Sequence, residues 1–177
     1  MTVPGRIMNR RFLIAALAVL LAPTAAALAQ QDVGTFQYWT TFTQDDPDGK
    51  MCFIASQPQD KKYSQPVNGR DPVFFMVTSI PAKGIRNEVS TIIGYPFSPG
   101  SDVTVDVDGQ KFKMFTSETQ GDTAWAVADQ QASLVTAMKA GHSMSVEGKS
   151  KRGTITTDVY SLRGVTAALD KAASECP

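Results

Sequence analysis

From Thr35 onward, hydrophobic and polar residues alternate in short runs, the period-two signature of strands that bury one face. "TFQYWTTF" (Thr35 to Phe42) and "MCFIASQ" (Met51 to Gln57) flank the turn sequence "DDPDG". "PVFFMVTSI" (Pro72 to Ile80) is an almost unbroken apolar run, which predicts a strand covered on both faces. "NEVSTIIGY" follows. Val103, Val105 and Val107 are then set against Phe112 and Met114 across Asp108-Gly109, the strongest hairpin signal in the chain. "DTAWAVA", "HSMSVEG" and "GTITTDVY" bring the expected total to about eight or nine strands.

Two segments carry helical spacing instead. "DQQASLVTAMKAG" places Leu134, Val135 and Met138 on one face, with Asp129 as candidate N-cap and Gly141 as stop. "SLRGVTAALDKAAS" places Leu162, Val165, Leu169 and Ala172 on one stripe, with Ser161 as candidate N-cap. The expected fold is mainly β, an antiparallel β-sandwich with two short helices, one of them C-terminal. The polar stretch Ser56 to Pro72 reads as the longest loop, and a mobile one. The alternation breaks at Tyr38 and Trp39, which point to opposite sides; one of the two is expected at the surface.

The N-terminal pattern changes the compartment. "MNRR" (Met8 to Arg11) precedes the apolar run "FLIAALAVLLAPTAAA", and "ALA" (Ala27 to Ala29) supplies a small-residue cleavage site. Residues 1–29 therefore read as a cleaved signal peptide and residues 30–177 as a single domain. The expected location is the periplasm of a Gram-negative cell, with surface association or secretion as variants. Signal removal takes Lys+Arg from 17 to 14, by loss of Arg6, Arg10 and Arg11, against 17 Asp+Glu; the mature net charge is −3. A weakly acidic chain without a basic stripe argues against nucleic acid. No later apolar run is long enough to span a bilayer, so no stable membrane insertion is expected after cleavage.

Cys52 and Cys176 are the two cysteines. In an exported chain they most simply form one disulfide closing a loop of more than a hundred residues; a pair of free thiols is the rival. Candidate chemistry is sparse. "QDDPDGK" puts Asp46, Asp48 and Gly49 at calcium-loop positions, but Gln44 and Ala55 stand where carboxylates are needed, so an acidic turn is the better reading. His142 is the sole imidazole and has no local partners for a triad. Asp106 and Asp108 flank a hairpin turn and read as solvated. No cofactor, metal or catalytic residue is expected. Lys149, Lys151 and Arg152 cluster at the tip "SKRGT", where they could receive an anionic group, though a solvated hairpin tip is the favoured reading. With Trp39 they make up the candidate contact surface.

The segments "GTFQYWTTF", "CFIAS", "NEVSTIIGYPF", "GDTAWA" and the closing "SKRGTITTDVYSLRGVTAAL…C" together resemble the invasion-associated locus B proteins of alphaproteobacteria. The resemblance covers essentially the whole mature chain, and its closing block is the most specific part. It implies a small exported protein with a role in host-cell entry in pathogenic members, and no established catalytic residues. The family often carries a cysteine shortly after the first Trp and a further pair in the segment matching "FTSETQGDTAWA". This chain has neither, which leaves Cys176 as the natural partner of Cys52. The leading functional reading is a non-enzymatic protein that contacts an envelope or host-surface protein. The alternative is a periplasmic small-molecule or glycan-binding module using exposed aromatics near Trp39 or Trp125 and the Lys149–Arg152 cluster.

Overall fold

The computed structural model describes residues 30–47, 49–117 and 121–177; the expected signal peptide and Asp48 of the acidic turn lie outside them. Among the described residues, eleven antiparallel strands form one continuous sheet. Along the chain they are β1 (Gln31–Phe36), β2 (Trp39–Asp46), β3 (Gly49–Ser56), β4 (Asp60–Tyr63), β5 (Phe74–Ile80) and β6 (Ile85–Ile92). After them come β7 (Val103–Val107), β8 (Gln110–Thr116), β9 (Thr123–Ala126), β10 (Ser143–Lys149) and β11 (Ile155–Ser161). Helix α1 (Gln131–Ala140) joins β9 to β10, and α2 (Val165–Glu175) closes the chain. Across the sheet the order is β1-β2-β3-β5-β6-β9-β8-β7-β10-β11-β4.

The two flanks of this sheet face each other, which makes the two layers of the sandwich from one hydrogen-bonded ladder. Phe75 of β5 meets Tyr160 of β11 edge-on at 5.8 Å between ring centroids. The indole Nε1 of Trp39 in β2 donates to the carbonyl of Ser161, 2.9 Å away. Alternation puts Trp39, Ile54, Phe75, Val89, Val105, Met144 and Tyr160 into one core. The Tyr160 hydroxyl lies inside that core without a hydrogen-bond partner among the described residues, and burial raises its pKa far above the ordinary phenol value.

Several expectations change. The run Thr35 to Phe42 is a hairpin, not one strand: Phe36 pairs with Trp39 around a two-residue turn in which Gln37 has φ 57°. The broken alternation at Tyr38-Trp39 is the trace of that turn. Residues 60–63, inside the stretch read as a mobile loop, form the edge strand β4 against β11. β5 is fully buried on one face only, because Phe74 and Met76 point outward and remain partly exposed.

The helices keep their expected stripes, with Leu134, Val135 and Met138 buried in α1, and Leu162, Val165, Leu169 and Ala172 buried around α2. Their starts differ. The N-cap positions are Gln130 and Gly164, neither giving a side-chain capping bond, rather than Asp129 and Ser161. Gly164 has φ 95°, and a Cβ there would overlap the carbonyl oxygen of Phe36. Only glycine satisfies both constraints, because the left-handed conformation penalises a Cβ and the backbone of β1 leaves no room for one. Gly164→Ala is therefore expected to lower stability by roughly 1–3 kcal/mol, read as a reduced urea midpoint at unchanged slope.

α2 lies on the inner face of the β1–β2–β3–β5 flank, where the Thr41 hydroxyl donates to the Ala168 carbonyl at 3.0 Å. Its end is fastened three ways. Cys176 forms the disulfide with Cys52 of β3, with a Cα–Cα separation of 6.0 Å across 124 residues of chain. Glu175 receives Nζ of Lys171 at 2.6 Å and of Lys50 at 2.8 Å, and these two ammonium groups hold its carboxyl at about 2. Arg86 Nη1 donates to the Cys176 carbonyl at 3.1 Å.

Candidate functional site

The basic tip is built by the β10–β11 hairpin, whose strands pair from Ser143–Ser161 out to Lys149–Ile155. Ser150 shapes the turn: its backbone N–H donates to the Thr154 carbonyl, and its hydroxyl accepts from the Thr154 N–H. A cavity of about 630 Å³ opens beside it, between segment 65–71 on one side and Ser150, Lys151, Arg152 and Thr154 on the other. Residues 94–96 and Thr156 complete its lining.

The walls are tied together. Arg70, within segment 65–71, makes a bidentate pair with Asp158 of β11, Nη1 to Oδ1 at 2.7 Å and Nη2 to Oδ2 at 2.6 Å. Its Nε donates to the Ile93 carbonyl at 2.8 Å. The guanidinium carbon also lies 5.0 Å from the ring centre of Tyr95 and 5.7 Å from that of Tyr63. The pair is sealed, with side-chain exposures of 5% for Arg70 and 0% for Asp158. Burial alone would lower the Arg70 pKa, but the hydrogen bonds and charge of Asp158 outweigh it and the net shift is upward. Burial raises the Tyr95 phenol; its hydroxyl bridges to Thr156 Oγ1 at 2.5 Å. Gln65 Nε2 donates to Thr154 Oγ1 at 2.7 Å, and the Lys151 N–H donates to the Pro96 carbonyl at 2.8 Å.

A second surface lies on the outer face of the other flank. Cross-strand register lines up Ala55, Met76, Ser90, Trp125 and Phe115 across β3, β5, β6, β9 and β8. Phe115 stacks on Trp125 with centroids 6.0 Å apart and is 52% exposed. One register step along the strands, Phe42 stacks on Phe53 at 5.1 Å. Tyr38, Phe42 and Phe74 border a groove of about 350 Å³ on the same face. Both helices bury their apolar stripes in the inner core, so neither covers this row. The outward positions of β7 and β10 are polar by contrast: Thr104, Asp106, Ser145, Glu147 and Lys149.

The four candidate contact residues therefore separate. Trp39 is fully buried, edge-on to Phe75 at 6.4 Å and hydrogen-bonded to β11, so it is a core residue and leaves the contact surface; its neighbour Tyr38 is the exposed one, at 41%. Lys149 sits on the polar outer half, whereas Lys151 and Arg152 line the cavity. His142 is surface-exposed with Nδ1 3.4 Å from Asp108 Oδ2. Asp108 accepts from the backbone N–H groups of His142 and Ser143, which lower its pKa. It fixes the α1–β10 corner. Among the described residues, no three His, Cys, Asp or Glu side chains come together as metal ligands. No helix among them is long and apolar enough to cross a membrane.

Sequence reasoning missed Arg70. The signal was Asp158, a carboxylate at the buried parity of β11 between Thr156 and Tyr160; a charge there requires a partner.

Comparison with known proteins gives consistent matches. A family model described as Invasion associated locus B (IalB) protein matches residues 39–173. The crystal structure of invasion associated protein B from Bartonella henselae superposes with a TM-score of 0.54 at 18% identity, covering 80% of this chain and 96% of that one. At that identity the likeness is one of fold. No curated protein sequence matches.

Proposed function

The chain belongs to the invasion associated locus B family, and from that premise we propose that it is an exported, non-enzymatic contact protein that engages an envelope or host-surface protein. The observation that carries this reading is the partly exposed aromatic row on the outer face, with Phe115 its most exposed ring. Stacked pairs Phe115–Trp125 and Phe42–Phe53, with Met76 between them, concentrate the residue types enriched at protein interfaces. The polar outer face of β7 and β10 marks the limit of the patch and separates it from the exposed Tyr63 and Ile155 at the β4–β11 edge. Export is supported by the leader pattern of residues 8–29 and by the buried disulfide, a bond that persists in oxidising compartments.

Phe115→Glu tests the reading. The ring is half-exposed and outside the core, so the variant should unfold within about 1 kcal/mol of the parent. It should nevertheless lose the envelope partner recovered by chemical crosslinking in the producing cell. Undiminished recovery by a folded variant would count against the outer face as the contact surface.

A further inference from the structure

The geometry points to a second site, a binding cavity for a small anionic saccharide between segment 65–71 and the β10–β11 tip. It shares no residue with the aromatic row and does not depend on it. At about 630 Å³ the cavity is of ligand size, several times what a bare inorganic ion would fill. It is also preformed. Arg70 pins one wall to Asp158 and the Ile93 carbonyl, Gln65 reaches across to Thr154, and Lys151 is held by Pro96. Gly94 has φ 74°, and a Cβ on it would overlap the Asp71 carbonyl oxygen, so the wall closes against a glycine. Little ordering remains to be done when a ligand enters.

Charge sets the ligand class. The Arg70 cation is already neutralised by Asp158. Lys151 and Arg152 form no ion pair with any described carboxylate, and the one other charged group lining the cavity is Asp71. Two cations against one carboxylate leave the cavity positive, which favours an anionic ligand, although residues 30–177 carry 14 Lys+Arg against 17 Asp+Glu. The Asn68 amide and the Asp71 carboxylate line the same space without a side-chain hydrogen bond to any described residue. Together they offer a donor and acceptors suited to hydroxyl groups. Tyr95, Val67 and Pro96 add apolar surface. A hydroxylated ring bearing a carboxylate or phosphate meets all three demands.

Calorimetric titration of the full chain, expressed with its leader and purified from the periplasm, tests this at low ionic strength. The probes are glucuronic acid, glucose 6-phosphate, glucose and inorganic phosphate. At least one acidic sugar should bind saturably, with affinity falling as salt is added. Glucose should bind about tenfold more weakly or worse, and Lys151→Ala/Arg152→Ala should weaken acid binding at least about tenfold, the scale of a lost charge-assisted hydrogen bond. Lys149→Ala, outside the cavity, should leave it within about twofold. The carboxylate and phosphate arms show which acid is preferred. Absence of binding by both acids, equal binding of glucose, or an unaffected double variant would overturn the site. Inorganic phosphate binding as tightly as glucose 6-phosphate would reduce it to an ion site and overturn the saccharide assignment.

Discussion

Arg70→Ala is expected to destabilise the protein by about 3–5 kcal/mol, the cost of leaving a buried charge without its partner. Asp158 is wholly buried, and its two carboxylate oxygens are each held by a guanidinium nitrogen. Truncation removes both bonds together with the ring contacts to Tyr63 and Tyr95. The same change removes the charged tether of segment 65–71 and leaves it held by Gln65 to Thr154 and by the Asp71 N–H to the Gly94 carbonyl. Arg70→Lys keeps the charge but not the planar fork and should lose an intermediate amount. Replacing both members, as in Arg70→Met/Asp158→Leu, should recover most of the loss, because an apolar pair no longer has to be desolvated as ions. Urea unfolding reads all three variants. A cost for Arg70→Ala below about 1 kcal/mol, the range of an exposed pair, would contradict the burial assigned here.

The second large effect is loss of the disulfide. Cys52→Ser/Cys176→Ser should cost about 2–5 kcal/mol, with roughly 5 kcal/mol as the chain-entropy ceiling for a loop spanning 124 residues. The crosslink joins the third strand of the chain to its last turn of helix, so nearly the whole domain lies inside the loop. Lys50 and Arg86 still hold the end of α2 through Glu175 and the Cys176 carbonyl. The variant should therefore keep its far-ultraviolet dichroism at ambient temperature while its urea midpoint falls. An unchanged midpoint would mean that those exposed contacts alone fix the helix.

Elements whose own residues encode them were legible in the sequence. The Asp108-Gly109 hairpin needs a local turn with positive φ, and the observed φ of 47° and 96° at those residues matches the sequence signal. The stripes of α1 and α2 were legible for the same reason. β4 was not, because Asp60, Lys61, Lys62 and Tyr63 show no alternation; they become a strand by pairing with β11, almost a hundred residues later. That charged, four-residue strand also terminates one edge of the sheet, where charge discourages pairing with another chain. Trp39 was misplaced because its hairpin position inverts the parity of a run that reads as continuous. At the cavity, the charge run at Lys151 and Arg152 was visible in sequence, but its facing wall was not. Arg70 and Asp158 are 88 residues apart, and only the fold brings them together.

Site-specific photo-crosslinking in the producing cell tests the contact reading most directly. One photoreactive residue is placed at Phe115, in the aromatic row, and another at Ile155, which is 43% exposed on β11 beyond the polar strands. A discrete adduct to a different envelope or surface protein is expected from position 115, lost on introducing Trp125→Glu, and none from position 155. Equal capture at both positions, capture only at 155, or an adduct made solely with a second copy of the same chain would contradict it.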